Sequence, residues 1–157
     1  LVLSTLHTND APSAITRLLE LGVPYYLLKA TLLGVMAQRL VRTLCPHCKA
    51  PVEINADDWQ ALTQPWSAPL PQGAQQAVGC LECRDTGYRG RAGVYEIMQI
   101  NDAIKPLIMA DTNLVALKNH AFRDGMRSLR LSGAQKIAAG LTTMEEVLRV
   151  TPQSQQK

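Results

Sequence analysis

The chain carries little net charge, few aromatic residues and no long uninterrupted hydrophobic run. Sixteen basic and thirteen acidic residues leave a formal net charge of +3, and aromatic side chains make up 4% of the 157 residues. Nucleic-acid-binding proteins usually present a strongly basic surface, with aromatic side chains that stack on bases. We therefore expect no nucleic-acid partner.

Membrane and secretory signals are also missing. The most apolar segment, residues 25–41, is interrupted by Lys29, Gly34 and Arg39 before it could span a bilayer of about 30 Å. No secretory leader is visible, and the sequence opens without Met on the apolar run "LVLSTL". We therefore expect a soluble intracellular domain, and a fragment whose upstream part is missing.

The N-terminal part has the pattern of an α/β fold. Residues 1–6 form a short apolar run that predicts a strand buried on both faces of a parallel sheet. An amphipathic helix follows, with Asn9 or Asp10 as its N-cap, and it ends at Gly22. A second helix is predicted over residues 25–42, with the basic residues of its last part exposed; these are Arg39 and Arg42.

The C-terminal part is predicted to be mainly helical. A strand over residues 94–100 is followed by three helices. The first of these is expected to be capped by Asp111 or Thr112, and the last is preceded by two possible capping boxes, Thr142 with Glu145 and Thr143 with Glu146. The last six residues, 152–157, are expected to be disordered.

Residues 45–87 differ in composition from the rest of the chain. They are poor in Leu and Ile, rich in Pro, and begin and end with a pair of cysteines. A segment this short and this weakly apolar cannot hold itself together by hydrophobic burial. We expect a separate small unit that something else fastens.

The four cysteines of the chain form two C-x-x-C pairs, Cys45 with Cys48 and Cys80 with Cys83, separated by 31 residues. Each pair can form a tight turn that directs two thiolates to one side, and two such turns complete the tetrahedral sulfur site that zinc prefers. Four protein ligands leave no open position for a substrate water. The spacing therefore predicts a structural metal site.

Other interpretations of the cysteines remain open. The sequence C-P-H-C matches the active site of thioredoxin-like thiol oxidases, although these need a strand before the motif and a helix after it. A helix is predicted before Cys45 instead. Two disulfides would require an oxidising compartment, His47 could replace one thiolate, and iron could replace zinc.

Polar residues follow the first predicted strand. The segment "STLHTND" places His7, Thr8 and Asn9 at the carboxyl end of that strand, where open α/β sheets bind ligands. His7 could meet a phosphate or polarise a water there. The alternative is that Thr8 and Asn9 cap the next helix and His7 hydrogen-bonds a neighbouring loop.

Four segments resemble, in this order, the C-terminal part of the type II secretion and type IV pilus assembly ATPases: "STLHTND", "LLGVMAQRLVRTLCPHCK", "GCLECRDTGYRGRAGVYEIM" and "GLTTMEEVLRVT". The resemblance covers nearly the whole chain. It implies the end of a RecA-like P-loop NTPase core in residues 1–44, an inserted tetracysteine zinc subdomain in residues 45–87 and a strand with a helical C-terminal subdomain in residues 88–151.

The resemblance also implies roles for individual residues. His7 would belong to the His box of the family and approach the terminal phosphate of ATP, with Thr8 and Arg39 as further candidates for nucleotide contact. The four ligands of a structural zinc would be Cys45, Cys48, Cys80 and Cys83. The complete protein would be a homohexamer that binds ATP and magnesium and works with an inner-membrane platform protein, in the cytoplasm and peripheral to the inner membrane.

Motifs that ATP hydrolysis needs are absent from the chain, and the aspartate and glutamate boxes of the family would lie before Leu1. No G-x-x-x-x-G-K-[ST] occurs in the chain, so the backbone cradle, the Lys and the magnesium ligand of a P-loop are missing. We expect the isolated chain not to hydrolyse ATP. Two other functions stay open, a zinc-binding interaction module for protein or nucleic acid and a C-P-H-C thiol oxidoreductase.

Overall fold

The computed structural model describes residues 1–152, which divide into two units. The first unit contains Leu1–Ala37 and Tyr95–Ser128, and the second contains Gln38–Val94 and the chain from Leu129 onward. In chain order, the helices and strands are α1 (Ala11–Glu20), α2 (Tyr25–Thr31), β1 (Gly34–Leu44), β2 (Ala50–Pro51), α3 (Ala56–Thr63), β3 (Gln75–Gln76), β4 (Tyr88–Gln99), α4 (Leu114–Arg123), α5 (Leu129–Ala138) and α6 (Met144–Val150). Short 3-10 turns lie at Leu81–Cys83 and Lys105–Leu107.

Two small sheets join the strands. β1 pairs with β4, and β2 pairs antiparallel with β3. Hydrogen bonds join Ile100 to Leu33 at one end of the first pair and Thr43 to Arg89 at the other, so β1 and β4 run in opposite directions. The fold is therefore a mixture of helices and strands, and the parallel sheet expected from residues 1–6 is not present among residues 1–152.

The first unit is built around the packing of α1 on α4. The carboxylate of Asp10 caps α1 by accepting from the backbone N–H of Ser13 at 3.0 Å, and it pairs with Lys118 of α4. The buried carboxylate of Glu96 accepts from the N–H of Ala11, a donor of the first turn that has no acceptor within the helix itself. The predictions of Asp10 as the cap and of Gly22 beyond the helix end are confirmed.

The second unit places α5 between α3 and α6. Its buried side chains come from all three helices and include Trp59, Leu62, Ile137 and Val147. The indole N–H of Trp59 donates to two backbone carbonyls, of Ala68 and Pro69, which satisfies the polar atom of this buried ring. This packing supplies the apolar core of the second unit.

The strand predicted over residues 1–6 is wrong. These residues have no strand assignment, and Leu1, Val2 and Leu3 are exposed to 101%, 90% and 87%. A strand of a parallel sheet exists only if neighbouring strands satisfy its backbone groups, and no strand of the described chain lies beside this segment. An apolar run alone does not provide that pairing.

The helix predicted over residues 25–42 is also wrong in its second half. α2 ends at Thr31, and β1 begins at Gly34. Along most of β1, every second side chain is exposed and the side chains between are half-buried or buried. This alternation is expected for a strand, in which successive side chains point to opposite faces. Arg39 is consequently half-buried rather than exposed, whereas the predicted exposure of Arg42 is confirmed.

Smaller differences concern the C-terminal part. β4 covers residues 94–99 of the predicted strand, but it begins earlier, at Tyr88, and ends one residue sooner, at Gln99. The N-cap of α4 is Asn113, not Asp111 or Thr112. Thr143 caps α6 as predicted, while the hydroxyl of Thr142 donates to the carbonyl of Arg42 instead of capping a helix. Of the predicted disordered tail, residues 153–157 lie outside the described residues.

Candidate metal centre

The four cysteine sulfurs lie together, all within 4.8 Å of one another. The Sγ–Sγ distances are 3.9 Å for Cys45–Cys80, 3.9 Å for Cys48–Cys83 and 3.7 Å for Cys80–Cys83. A tetrahedron with zinc–sulfur bonds of about 2.3 Å has edges of roughly 3.8 Å. The spacing and chemistry of the four sulfurs therefore fit a tetrahedral zinc ion.

Two tight turns direct the sulfurs. Cys45 follows the last residue of β1, and its carbonyl accepts from the N–H groups of Cys48 and Lys49, which closes the first turn. The second turn is the 3-10 helix Leu81–Cys83, which ends in left-handed backbone at Arg84 and Asp85, with φ of 55° and 60°. Each C-x-x-C pair thus places both of its sulfurs on one side of its turn.

Backbone N–H groups point at the sulfurs. Cys83 Sγ accepts from the N–H of Cys80 and of Gly87, each at 3.2 Å, and Cys48 Sγ accepts from the N–H of Gly79 at 3.3 Å. Such donors favour the thiolate, because they stabilise negative charge on sulfur. The backbone is therefore arranged for anionic sulfur.

The pKa values of two cysteines diverge. Burial, the largest influence on both, raises the pKa of Cys80 to about 11, whereas for Cys83 the N–H donors of Cys80 and Gly87 outweigh burial and lower the pKa to about 6. Four sulfurs this close cannot all ionise without a cation, because like charges disfavour one another. A divalent metal would remove that conflict and hold all four as thiolates.

The alternatives fit the geometry less well. A disulfide requires sulfurs about 2.05 Å apart, and all four cysteines are free. Cys45 follows a strand, not the helix that the sequence suggested, so half of the oxidoreductase pattern is present. The other half is missing, because residues 46–48 form a turn and the next helix begins at Ala56.

His47 is exposed and does not belong to the group of four sulfurs. Because the pairs Cys45–Cys80 and Cys48–Cys83 each bring the two motifs within 3.9 Å, the thiolates form one complete set without it. Four sulfurs suit iron as well as zinc.

The other predicted site residues lie elsewhere. His7 is exposed, and the hydroxyl of the half-buried Thr8 donates to the carbonyl of Asp10. Both belong to the first unit, whereas Arg39 belongs to the second. The guanidinium of Arg39 donates to the carbonyl of Gln38 at 2.8 Å. Their contact with nucleotide stays a prediction.

One charged cluster was missed by the sequence reasoning. Glu146 was expected to complete a capping box, but its buried carboxylate accepts from the side chains of Arg42 and Arg149 instead. The hydrogen bond from Arg42 is the largest influence on the pKa of Glu146 and, together with that from Arg149, lowers it to about 2 against the effect of burial. Only the Thr143 half of the capping box forms.

Comparisons with known proteins agree with the motifs. The family described as "Type II/IV secretion system protein" matches residues 1–149. The chain is 54% identical over 152 residues to the "Type IV pilus assembly ATPase TfpB" of Acinetobacter baylyi, which covers 97% of this chain and 26% of that protein. It is 48% identical over 151 residues to the "Type IV pilus assembly ATPase PilB" of Myxococcus xanthus, covering 94% and 26%.

A type II secretion protein is similar at a comparable level. The "Type II secretion system ATPase E" of Vibrio cholerae is 43% identical over 154 residues, which covers 98% of this chain and 30% of that protein. The chain thus spans between 26% and 30% of the length of these relatives. None of the helices described has both the length and the hydrophobicity that crossing a bilayer requires. The match over residues 1–149 confirms the resemblance read from the four sequence segments, and the chain belongs to the type II/IV secretion system protein family.

Proposed function

We propose that this chain is part of an ATPase that powers type II protein secretion or type IV pilus assembly, and that its tetracysteine site holds a structural zinc. The observation that carries the proposal is the set of four sulfurs at tetrahedral spacing in a chain whose similar proteins are named as such ATPases. Neither the identity values nor the motifs distinguish secretion from pilus assembly, so the proposal covers both machines.

The proposed division of labour follows the chain. Residues 1–44 form the end of a RecA-like core, residues 45–87 the zinc subdomain, and residues 88–151 a strand with the helical C-terminal subdomain. In the complete homohexamer, His7 contacts the terminal phosphate of ATP, and Thr8 and Arg39 assist in nucleotide contact. The exposure of His7 supports this assignment, because a phosphate ligand needs an accessible side chain.

Zinc, when bound, cross-links the two C-x-x-C turns through four thiolate bonds. Its role is structural because the four cysteines occupy all tetrahedral positions. The residues around it support this function: Gly79, Cys80 and Gly87 direct their N–H groups at sulfur and so stabilise the bound thiolates. The turns are thereby held against the end of β1, with the N–H of Cys45 bonded to the carbonyl of Gly87.

The proposed partners are other copies of the same protein and an inner-membrane platform protein. ATP binding and hydrolysis, with magnesium, would move subunits against each other and pass that motion to the platform. The proposed location is the cytoplasmic side of the inner membrane.

Elemental analysis tests the zinc part of the proposal. The purified chain should hold about one zinc per molecule, and Cys80→Ser should release it, because three thiolates bind zinc much more weakly than four. His47→Ser is the matched control, since His47 lies between two ligands but is exposed, and this variant should keep its zinc. A metal-free wild type, or a Cys80→Ser variant with full zinc content, would contradict the structural zinc.

The motor part needs a separate experiment. A longer protein with a P-loop upstream of this chain should hydrolyse ATP, while the isolated chain should not, because it has no P-loop Lys or magnesium ligand. Absence of ATP turnover in the longer, hexameric protein would refute the motor function without bearing on the zinc.

A further inference from the structure

A buried carboxylate joins α6 to β1 in the second unit. The side chain of Glu146 is 1% exposed. Its oxygens accept from the backbone N–H of Arg42 at 3.1 Å and from Nε and Nη2 of Arg149 at 3.0 Å each, besides the guanidinium of Arg42. A carboxylate with this many donors is held in one orientation. Its hydrogen bond with the guanidinium of Arg42 therefore fixes that group as well.

Arg42 in turn lies on an aromatic ring. Its guanidinium carbon is 4.1 Å from the centroid of the Tyr88 ring, close enough for a cation–π contact. The Tyr88 hydroxyl is hydrogen-bonded to the hydroxyl of Thr143 at 2.9 Å. Tyr88, the first residue of β4, is thus fixed on its face by Arg42 and at its tip by the N-cap of α6.

The residue before Tyr88 touches both cysteine pairs. The N–H of Gly87 donates to Cys83 Sγ at 3.2 Å, and its carbonyl accepts from the N–H of Cys45 at 2.9 Å. Gly87 is therefore hydrogen-bonded to both halves of the tetracysteine site. A displacement of Tyr88 moves the Gly87–Tyr88 peptide, which carries the carbonyl bonded to Cys45. Through the backbone of Gly87 it also shifts the preceding peptide, whose N–H donates to Cys83 Sγ.

From this chain of contacts we infer that Glu146 is a positioning residue of the metal centre: through Arg42 and Tyr88 it fixes Gly87, which holds Cys83 and Cys45 in ligating geometry. The inference rests on the proposed zinc centre and goes beyond it, because it assigns control of metal retention to a residue of α6. Groups hydrogen-bonded to metal ligands, as Gly87 is to Cys83 Sγ, typically contribute 10- to 100-fold to metal affinity, and Glu146 acts on that group.

Charge makes Glu146 suited to this role. Arg42 and Arg149 both point at it and would repel each other without a carboxylate between them. Glu146→Gln keeps the size of the side chain but removes the charge and turns an NH₂ donor toward guanidinium donors. Arg42 would then lose its fixed position over Tyr88.

The experiment measures zinc release from the full chain to a colorimetric chelator, together with the absorption spectrum of the cobalt-substituted protein. Glu146→Gln should release zinc about tenfold faster than the wild type. It should also shift the sulfur-to-cobalt charge-transfer bands, because the N–H···S bond of Gly87 changes.

Two substitutions of Tyr88 test the route. Tyr88→Phe loses the hydroxyl bond to Thr143 but keeps the ring under Arg42, so it should release zinc more slowly than Glu146→Gln. Tyr88→Leu removes both contacts and should release zinc as fast as Glu146→Gln. The double variant of Glu146→Gln and Tyr88→Leu should show no further acceleration, since the two residues act in series. The two single substitutions of Tyr88 keep the inference testable if Glu146→Gln does not fold.

Val147→Ala is the matched control for general loosening of α6. Val147 is fully buried next to Glu146 in the helix but has no part in the charged contacts. It should lower the unfolding midpoint while leaving the cobalt spectrum and zinc release unchanged. Accelerated release in this control equal to that in Glu146→Gln would overturn the inference.

The outcomes separate this inference from the proposed zinc centre. Wild-type release kinetics and an unchanged cobalt spectrum in Glu146→Gln and Tyr88→Leu, with the wild type fully loaded, would overturn the inference alone. A wild-type chain that takes up neither zinc nor cobalt would overturn both.

Discussion

Gly133 on α5 lies directly against Val147 on α6. A Cβ added at Gly133 would come within 2.4 Å of Val147 Cγ1 and 2.8 Å of its Cγ2, much closer than carbon atoms can approach. Both residues are buried. The absence of a side chain at Gly133 is therefore what allows these two helices to pack at their observed distance.

Gly133→Ala should destabilise the chain by about 1–3 kcal/mol through overpacking, although Ala is the better helix former by about 1 kcal/mol. Urea unfolding of the zinc-loaded protein measures the difference. Val147→Ala also destabilises, by leaving a cavity, but the double variant should be more stable than the sum of the two losses implies. Additive effects would show that the two side chains do not meet.

The sequence predicts the metal site better than the strands because the information for that site is local. Two C-x-x-C turns and the tetrahedral preference of zinc are sufficient to predict that Cys45, Cys48, Cys80 and Cys83 come together. The sequence predicts β1 as a helix because the spacing of its apolar residues, such as Leu40 and Val41, fits the periodicity of a helix as well as that of a strand. Its partner strand, β4, comes much later in the chain.

The charged contacts of α6 could not be predicted for the same reason. Arg42 and Glu146 are 104 positions apart, and the capping-box pattern gave Glu146 a local role that its carboxylate does not perform. Short motifs report turns and caps. They do not report which distant charges a buried carboxylate meets once the helices have packed.

Gly87 has a left-handed backbone, with φ of +75°, and a Cβ added there would lie 2.5 Å from the Cβ of Ala77. Gly87→Ala should therefore cost more than the roughly 1 kcal/mol of the backbone conformation alone, and it should weaken zinc retention. Gly125→Ala is the matched control, because Gly125 has φ of +97° and nothing within 4 Å of an added Cβ. Equal unfolding midpoints for the two variants would refute the steric clash at Gly87.

Asp10 should make α1 sensitive to acid. Burial has the largest single influence on the pKa of Asp10 and raises it. The hydrogen bonds of Ser13 and the charge of Lys118 together outweigh burial and lower the pKa of Asp10 below its usual value. A carboxyl whose folded-state pKa is lowered stabilises the fold above its unfolded pKa of about 3.9, and this contribution is lost as pH falls through the folded-state value.

Asp10→Asn separates the cap from the charge. Asn caps a helix about as well as Asp, so at neutral pH the variant should lose only the half-exposed ion pair, less than about 1 kcal/mol. Asp10→Ala should lose about 1 kcal/mol more. The gap in urea unfolding midpoint between wild type and Asp10→Asn should narrow as pH falls below the unfolded pKa of about 3.9, and it should close once pH is below the lowered folded-state pKa of Asp10. A gap that stays constant with pH would argue against the ion pair.

His7→Ala should reduce ATP turnover without unfolding the protein. The side chain is exposed in the described chain, so its removal leaves no cavity and no unsatisfied polar group. In a longer protein that carries the P-loop, the proposed contact of His7 with the terminal phosphate predicts that its loss lowers kcat by roughly 10²-fold. His47→Ala is the matched control, an exposed histidine beside two of the cysteine ligands, and it should keep full turnover. Wild-type kcat in His7→Ala would remove His7 from the catalytic site, whereas an equal fall of kcat in both variants would indicate that histidine removal acts through the fold.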